Sequence, residues 1–83
     1  MTITALQERI LRQLATVDAA HVPSIAHAIK APADLVQVAC SGLAASRLIV
    51  VRGGARTDAK GRYLPAQWGI TDDGRRRLER LAA

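Results

Sequence analysis

Four cations, Arg52, Arg56, Lys60 and Arg62, share one glycine-punctuated stretch with Gly53, Gly54 and Gly61, and Asp58 is the only acid among them. Guanidinium and ammonium groups on flexible backbone suit one chemistry above others. They neutralise phosphates, along a nucleic-acid backbone or in a minor groove, and each such contact releases condensed counterions. A second basic run, Arg75-Arg76-Arg77 with Arg80, is interleaved with Asp72, Asp73 and Glu79 at spacings that allow i, i+4 pairing, so a solvated helix face accounts for most of it. Arg76, Arg77 and Arg80 are therefore candidates for supplementary phosphate contacts only.

Catalytic chemistry has no comparable foothold. His21 and His27 flank Ser24, but their spacing fits neither a metal nor a nucleophile scheme, and both are expected at the surface or half buried. The chain contains no cysteine pair, no His-Glu-x-x-His and no Gly-x-Ser-x-Gly, and Lys60-Gly61 reverses the order that a phosphate-binding P-loop requires. Cys40 is the single cysteine, placed on an apolar stripe where it reads as a small buried hydrophobe. The expectation is no enzyme, no metal and no cofactor.

At 83 residues the chain is expected to fold as one domain, and its 49% hydrophobic content is that of a folded protein. The longest aliphatic run, Leu48 to Val51, is far too short to span a membrane, and residues 1–5 lack the pattern of a secretory signal, so a cytoplasmic location is expected. The net charge of +5 is entirely C-terminal: residues 1–46 balance, whereas residues 47–83 carry nine cations against four acids. A basic half on an otherwise neutral domain points to a polyanionic partner.

The elements that must position these groups follow from periodicity. Leu6, Ile10, Leu14 and Val17 recur at helical spacing, with Thr4 and Gln7 as a capping box and Glu8 and Arg12 as an i, i+4 pair, giving a first helix over 4–16. Residues 18–21 read as a connection. Pro23 opens a second helix over 23–30 with Ile25, Ala26 and Ile29 inward, and Ala31-Pro32 stops it. A third helix over 32–46 turns Val36, Ala39, Cys40 and Leu43 to the core; so short a turn between two helices makes a helix-turn-helix. Residues 48–70 read as a hairpin with a polar tip over 53–62, the returning strand being irregular or at an edge near Pro65. Trp68 anchors it, with Tyr63 nearer the tip. Thr71 caps a terminal helix over 71–82, whose Leu78 and Leu81 pack on the first helix or on a second copy.

This order is that of a winged helix, of class α+β, and three segments resemble MarR-like and PadR-like bacterial regulators. Val22 to Ile29 looks like their second helix; Leu43-Ala44-Ala45-Ser46-Arg47-Leu48-Ile49 resembles their passage from recognition helix to strand, with Arg47 where those families usually have glycine; and Trp68-Gly69-Ile70-Thr71-Asp72-Asp73-Gly74 is similar to their Tyr-x-Leu-Thr-x-x-Gly exit from the wing. The resemblance implies a DNA-binding regulatory or architectural protein, with the third helix in the major groove and the wing on the backbone or minor groove. Carried over by position, the third helix would present Ala33, Asp34, Gln37, Val38 and Ser41. Gln37 suits adenine, Ser41 a base or phosphate and Val38 a thymine methyl, whereas the face has no arginine or lysine to read guanine. Nucleic-acid contacts are thus expected from Gln37, Ser41, Arg52, Arg56, Lys60 and Arg62 on double-stranded DNA, with a homodimer as the usual way to pair half-sites. Two alternatives stay open: RNA binding through the same wing, and a winged-helix module whose weakly polar third helix binds a protein.

Overall fold

The computed structural model describes residues 2–82 and has the α+β architecture of a winged helix. The elements in chain order are α1 (Ala5–Leu14), β1 (Ala20–His21), α2 (Val22–Ile29), α3 (Ala33–Ala45), β2 (Ile49–Gly53), β3 (Arg56–Thr57), β4 (Tyr63–Leu64), β5 (Gln67–Ile70) and α4 (Asp72–Ala82). α1, α3 and α4 start one residue later than their periodic patterns and α1 and α3 end one or two residues earlier, because capping residues lie outside the helical hydrogen bonding, while α2 keeps its expected length one residue earlier in the chain. The capping box forms: the Gln7 N–H donates to Thr4 Oγ1 at 3.1 Å and the Thr4 N–H donates to Gln7 Oε1 at 2.9 Å.

Residues 18–21 are more than a connection. Ala20 and His21 form β1, which pairs antiparallel with β5, so the sheet has three strands in the order β1-β5-β2. The hairpin is also divided. β2 and β5 pair at its base, β3 and β4 form a separate two-stranded tip, and Pro65-Ala66 interrupts the returning strand. Proline offers no ladder donor, so the break falls where the residue type requires it.

The core gathers Ile10, Leu11 and Leu14 of α1, Ile25, Ala26 and Ile29 of α2, Val36, Ala39, Cys40 and Leu43 of α3, and Leu48, Ile49 and Ile70 at the sheet base. Each fully buried branched side chain contributes roughly 1.5–3 kcal/mol. Leu11 joins the stripe expected for α1, while Leu6 and Val17 pack only at its margin. On β2 the apolar run is half exposed, with Val50 and Val51 facing solvent. α4 lies against α1 with Leu78 on the core and Leu81 exposed, an arrangement that joins both ends of the fold.

Two residues adopt the left-handed conformation that usually calls for glycine. Lys30 (φ 56°) closes α2 in the turn before α3, and Arg47 (φ 61°) turns the chain from α3 into β2. Gly74 marks the other side of that second junction: a Cβ there would run into the Leu48 carbonyl oxygen. Thr71 ties the corner, its Oγ1 accepting from the Gly74 N–H at 3.0 Å and lying 2.8 Å from the Arg47 carbonyl oxygen to which it donates.

Candidate nucleic-acid interface

The outward side of α3 and the wing share one cleft. Ala33, Asp34 and Gln37 from the start of α3, Val22 and Pro23 from α2, and Tyr63, Pro65, Ala66 and Trp68 from the hairpin enclose a groove of about 500 Å³. A neighbouring recess of about 410 Å³ continues along the wing past Tyr63 and Pro65 to His21, Arg56 and Gln67. Tyr63 stands at the junction of the two and is 70% exposed, while Trp68 packs on the core and forms the floor near α2. This is a trough with a helix on one side and a basic ribbon on the other.

The wing tip is organised around Asp58. Its Oδ1 accepts from the Lys60 N–H at 2.9 Å and the Arg62 N–H at 2.8 Å, its Oδ2 accepts from Arg62 Nε at 2.8 Å, and its own N–H donates to the Arg62 carbonyl at 2.9 Å. The Arg62 N–H foremost, then its guanidinium and the Lys60 N–H, hold the Asp58 carboxyl below its ordinary range, against an opposing push from desolvation. An acid within a basic loop therefore acts as its clasp. The outer part of the Arg62 guanidinium stays in solvent, and among the described residues the Arg56 and Lys60 side chains form no ion pair or hydrogen bond.

Arg52 stands apart from the trough. It is the extra residue of a bulge in β2, where Val51 faces Trp68 and Gly53 faces Gln67. Trp68 and Ile70 point into the fold, so Gly69 between them points outward, and the Arg52 side chain lies over it where a Cβ would overlap the guanidinium stem. Arg52 Nη2 donates to the Ile70 carbonyl at 2.9 Å. Asp18 and Arg75 border this outer face.

Gln37 and Ser41 are both exposed on α3, but the Ser41 hydroxyl donates to the Gln37 carbonyl at 3.1 Å. Arg76, Arg77 and Arg80 gather with Ser46, Leu48 and Asp73 in a shallow recess at the far end of α3 from the trough. Arg76 Nη2 donates to Asp73 Oδ1 at 2.6 Å, an i, i+3 pair in place of the expected Asp72 partner. The candidate binding residues thus divide into Gln37 and Arg56 at the trough, Lys60 and Arg62 at the wing tip, Ser41 on the outward face of α3, a separate cluster on α4, and Arg52 on the outer sheet face.

His21 is the residue that motif reasoning passed over. Half buried, it caps α2 by accepting the Ser24 N–H on Nδ1 at 3.1 Å, and it borders the wing recess. A side-chain acceptor directly before Val22-Pro23-Ser24 was the available signal. Cys40 is fully buried, and burial pushes its thiol up to about 11. Among the described residues no group of three or more His, Cys, Asp or Glu side chains gathers to hold a metal, and no helix is long and apolar enough to cross a membrane.

This arrangement of helices and wing is the fold of known bacterial regulators. BpsR of Bordetella bronchiseptica, whose structure is described with the regulation of its DNA binding by 6-hydroxynicotinic acid, is 22% identical at a TM-score of 0.77, covering 98% of this chain and 54% of that one. The zinc-responsive MarR family member ZitR of Lactococcus lactis is 23% identical at a TM-score of 0.77, covering 99% and 53%. A MarR family transcriptional regulator of Silicibacter pomeroyi is 19% identical at 0.75, covering 95% and 49%. The domain has the MarR-like winged-helix fold. It spans about half the length of the solved structures it matches. No family model and no curated protein matches the sequence.

Proposed function

We propose that this domain is the DNA-binding part of a non-catalytic transcription regulator, holding double-stranded DNA between the outward face of α3 and the basic wing. The observation that carries the reading is the wing: Arg56, its side chain without a partner among the described residues, borders the recess that adjoins the groove holding Gln37, and on the same wing the Lys60 side chain likewise has none and Arg62 is clasped by Asp58 with its outer guanidinium in solvent. Among the described residues, Arg56 and Lys60 have no ion pair to break before meeting phosphates. Neighbours with this fold, one a transcriptional regulator and one a protein with regulated DNA binding, support the same reading.

In this reading Gln37 and Ser41 meet base edges or phosphate, Arg56, Lys60 and Arg62 meet the backbone or minor groove, and Arg76, Arg77 and Arg80 supply peripheral phosphate contacts. Arg52 serves the sheet in the first instance, since its guanidinium already caps the Ile70 carbonyl. Two copies paired through surfaces such as that around Leu81 would present two recognition helices to half-sites about one helical turn apart.

A second reading, a protein-binding module, is favoured by one feature. Leu6, Leu35, Val38, Ala39 and Gly42 line a mostly apolar groove between α1 and α3.

The test is fluorescence anisotropy with labelled duplex at several salt concentrations, comparing the natural chain with an Arg56→Ala/Lys60→Ala double variant. Affinity should fall steeply with salt, and the variant should bind roughly 10 to 100-fold more weakly near 0.1 M salt with a slope reduced by about 2. No binding at low salt would remove this reading and leave the apolar groove as the better guide.

A further inference from the structure

The outward face of α3 is an odd surface to set against a polyanion. Opposite the buried stripe of Val36, Ala39, Cys40 and Leu43 lie Asp34, Val38, Ser41 and Ala45, with Gln37 on the wing side and Leu35 on the α1 side. Val38 is 71% exposed and Leu35 is 52% exposed. Its polar groups are largely committed within the helix: Ser41 donates to the Gln37 carbonyl, and Asp34 Oδ1 accepts the Leu35 N–H at 3.0 Å. Among the described residues, the Gln37 amide alone on this face is both built for base reading and free of an internal hydrogen bond.

Resting on the DNA-binding reading above, we propose that this face recognises thymine methyl groups. Its preferred target is then a major groove rich in A·T pairs, with Val38 as the methyl-reading residue, Leu35 beside it and Gln37 as the adenine partner. Arg56 across the trough, with Lys60 and Arg62 on the same wing, calls for a polyanion, and a polyanion offers few apolar groups to a helix laid upon it. On base edges in the major groove, the C5 methyl of thymine is such a group. An exposed valine at the centre of the face gains by covering it, because both surfaces leave water. Guanine finds no arginine or lysine on this face. Adenine, opposite each thymine, presents the donor and acceptor pair that a glutamine amide matches.

Replacing thymine by uracil deletes the methyl and leaves the base-pairing edges unchanged, which makes the inference directly testable. The probes are a short duplex of alternating A·T pairs, the same duplex with uracil for every thymine, and an alternating G·C duplex with and without 5-methylcytosine. Binding to the thymine duplex should exceed binding to the uracil duplex by about fourfold for each methyl contacted. The 5-methylcytosine duplex should bind more tightly than its unmethylated counterpart. Val38→Ala, a change at an exposed position whose retained fold is checked by far-UV circular dichroism, should abolish both differences while keeping the salt dependence. Equal binding to thymine and uracil duplexes would overturn the inference and leave DNA binding intact. A thymine preference that survives Val38→Ala would overturn the assignment to this face. No binding to any duplex at low salt would overturn the inference together with the reading it rests on.

Discussion

The outward face of α3 and the wing border one trough, yet they are built in opposite ways. The helix face has no cation, an exposed valine and leucine, and hydroxyl and carboxylate groups already satisfied within the helix. The wing has three cations and a tip folded around one carboxylate. In the proposed reading, long-range attraction would fall to the wing and short-range discrimination to the helix, because Coulomb forces tolerate displacement whereas apolar contact requires close fit. Their anchoring differs as well: α3 is fixed by the core, and the wing tip is held by hydrogen bonds to Asp58.

The largest effect on this contrast should come from the corner that joins the two regions. Gly74→Ala places a methyl against the Leu48 carbonyl, and urea denaturation should show a loss of about 2–3 kcal/mol. A loss within experimental error would mean that the corner yields freely and that the helix and wing are not held in register by it.

Cys40 tests how firmly α3 is seated. With its thiol fully buried and pushed up to about 11, alkylation at neutral pH should be at least about 30-fold slower in the folded chain than in denaturant. Comparable rates would show that α3 opens locally and is no firmer than the wing.

On the wing side, Asp58→Asn should speed hydrogen exchange at the Lys60 and Arg62 amides by about tenfold and leave α3 amides unchanged. Acidification should act likewise. Because the folded carboxyl titrates below its ordinary range, its ordering effect is complete above that range and disappears as pH falls through the lowered value. A tip that stays protected in strong acid would show that Asp58 is not the clasp.

The smallest effect concerns Arg52→Ala, which should alter DNA affinity by less than about twofold and cost about 1 kcal/mol of stability through the lost Ile70 hydrogen bond and packing. A large affinity loss with unchanged stability would return Arg52 to the binding surface.

The helices were legible because their signals are local. The inward stripe of α3 and the Thr4 to Gln7 box follow from spacing alone, and the break near Pro65 follows from residue type. What escaped sequence reading depends on partners distant along the chain. Ala20 and His21 are a strand only because β5 lies beside them, and no two-residue segment carries a period. Arg52 and Arg56 look equivalent in a basic stretch, but a bulge sends the first to the outer sheet face. Arg47 was visible as a cation where the resembling families have glycine, although its left-handed backbone needed coordinates. Of the interface, the chemistry of the wing was readable; the trough, the Asp58 clasp and the exposure of Leu35 were not.

The Arg52 side chain lying over Gly69 ties two positions of the chain into one unit of inheritance. Any side chain added at 69 displaces the guanidinium stem, and any shortening at 52 uncovers backbone that glycine cannot shield. Either change alone should cost some stability, so drift at these positions is expected to proceed in pairs. Among diverging copies of this domain, residue 69 is expected to enlarge only in lineages where residue 52 has already become small.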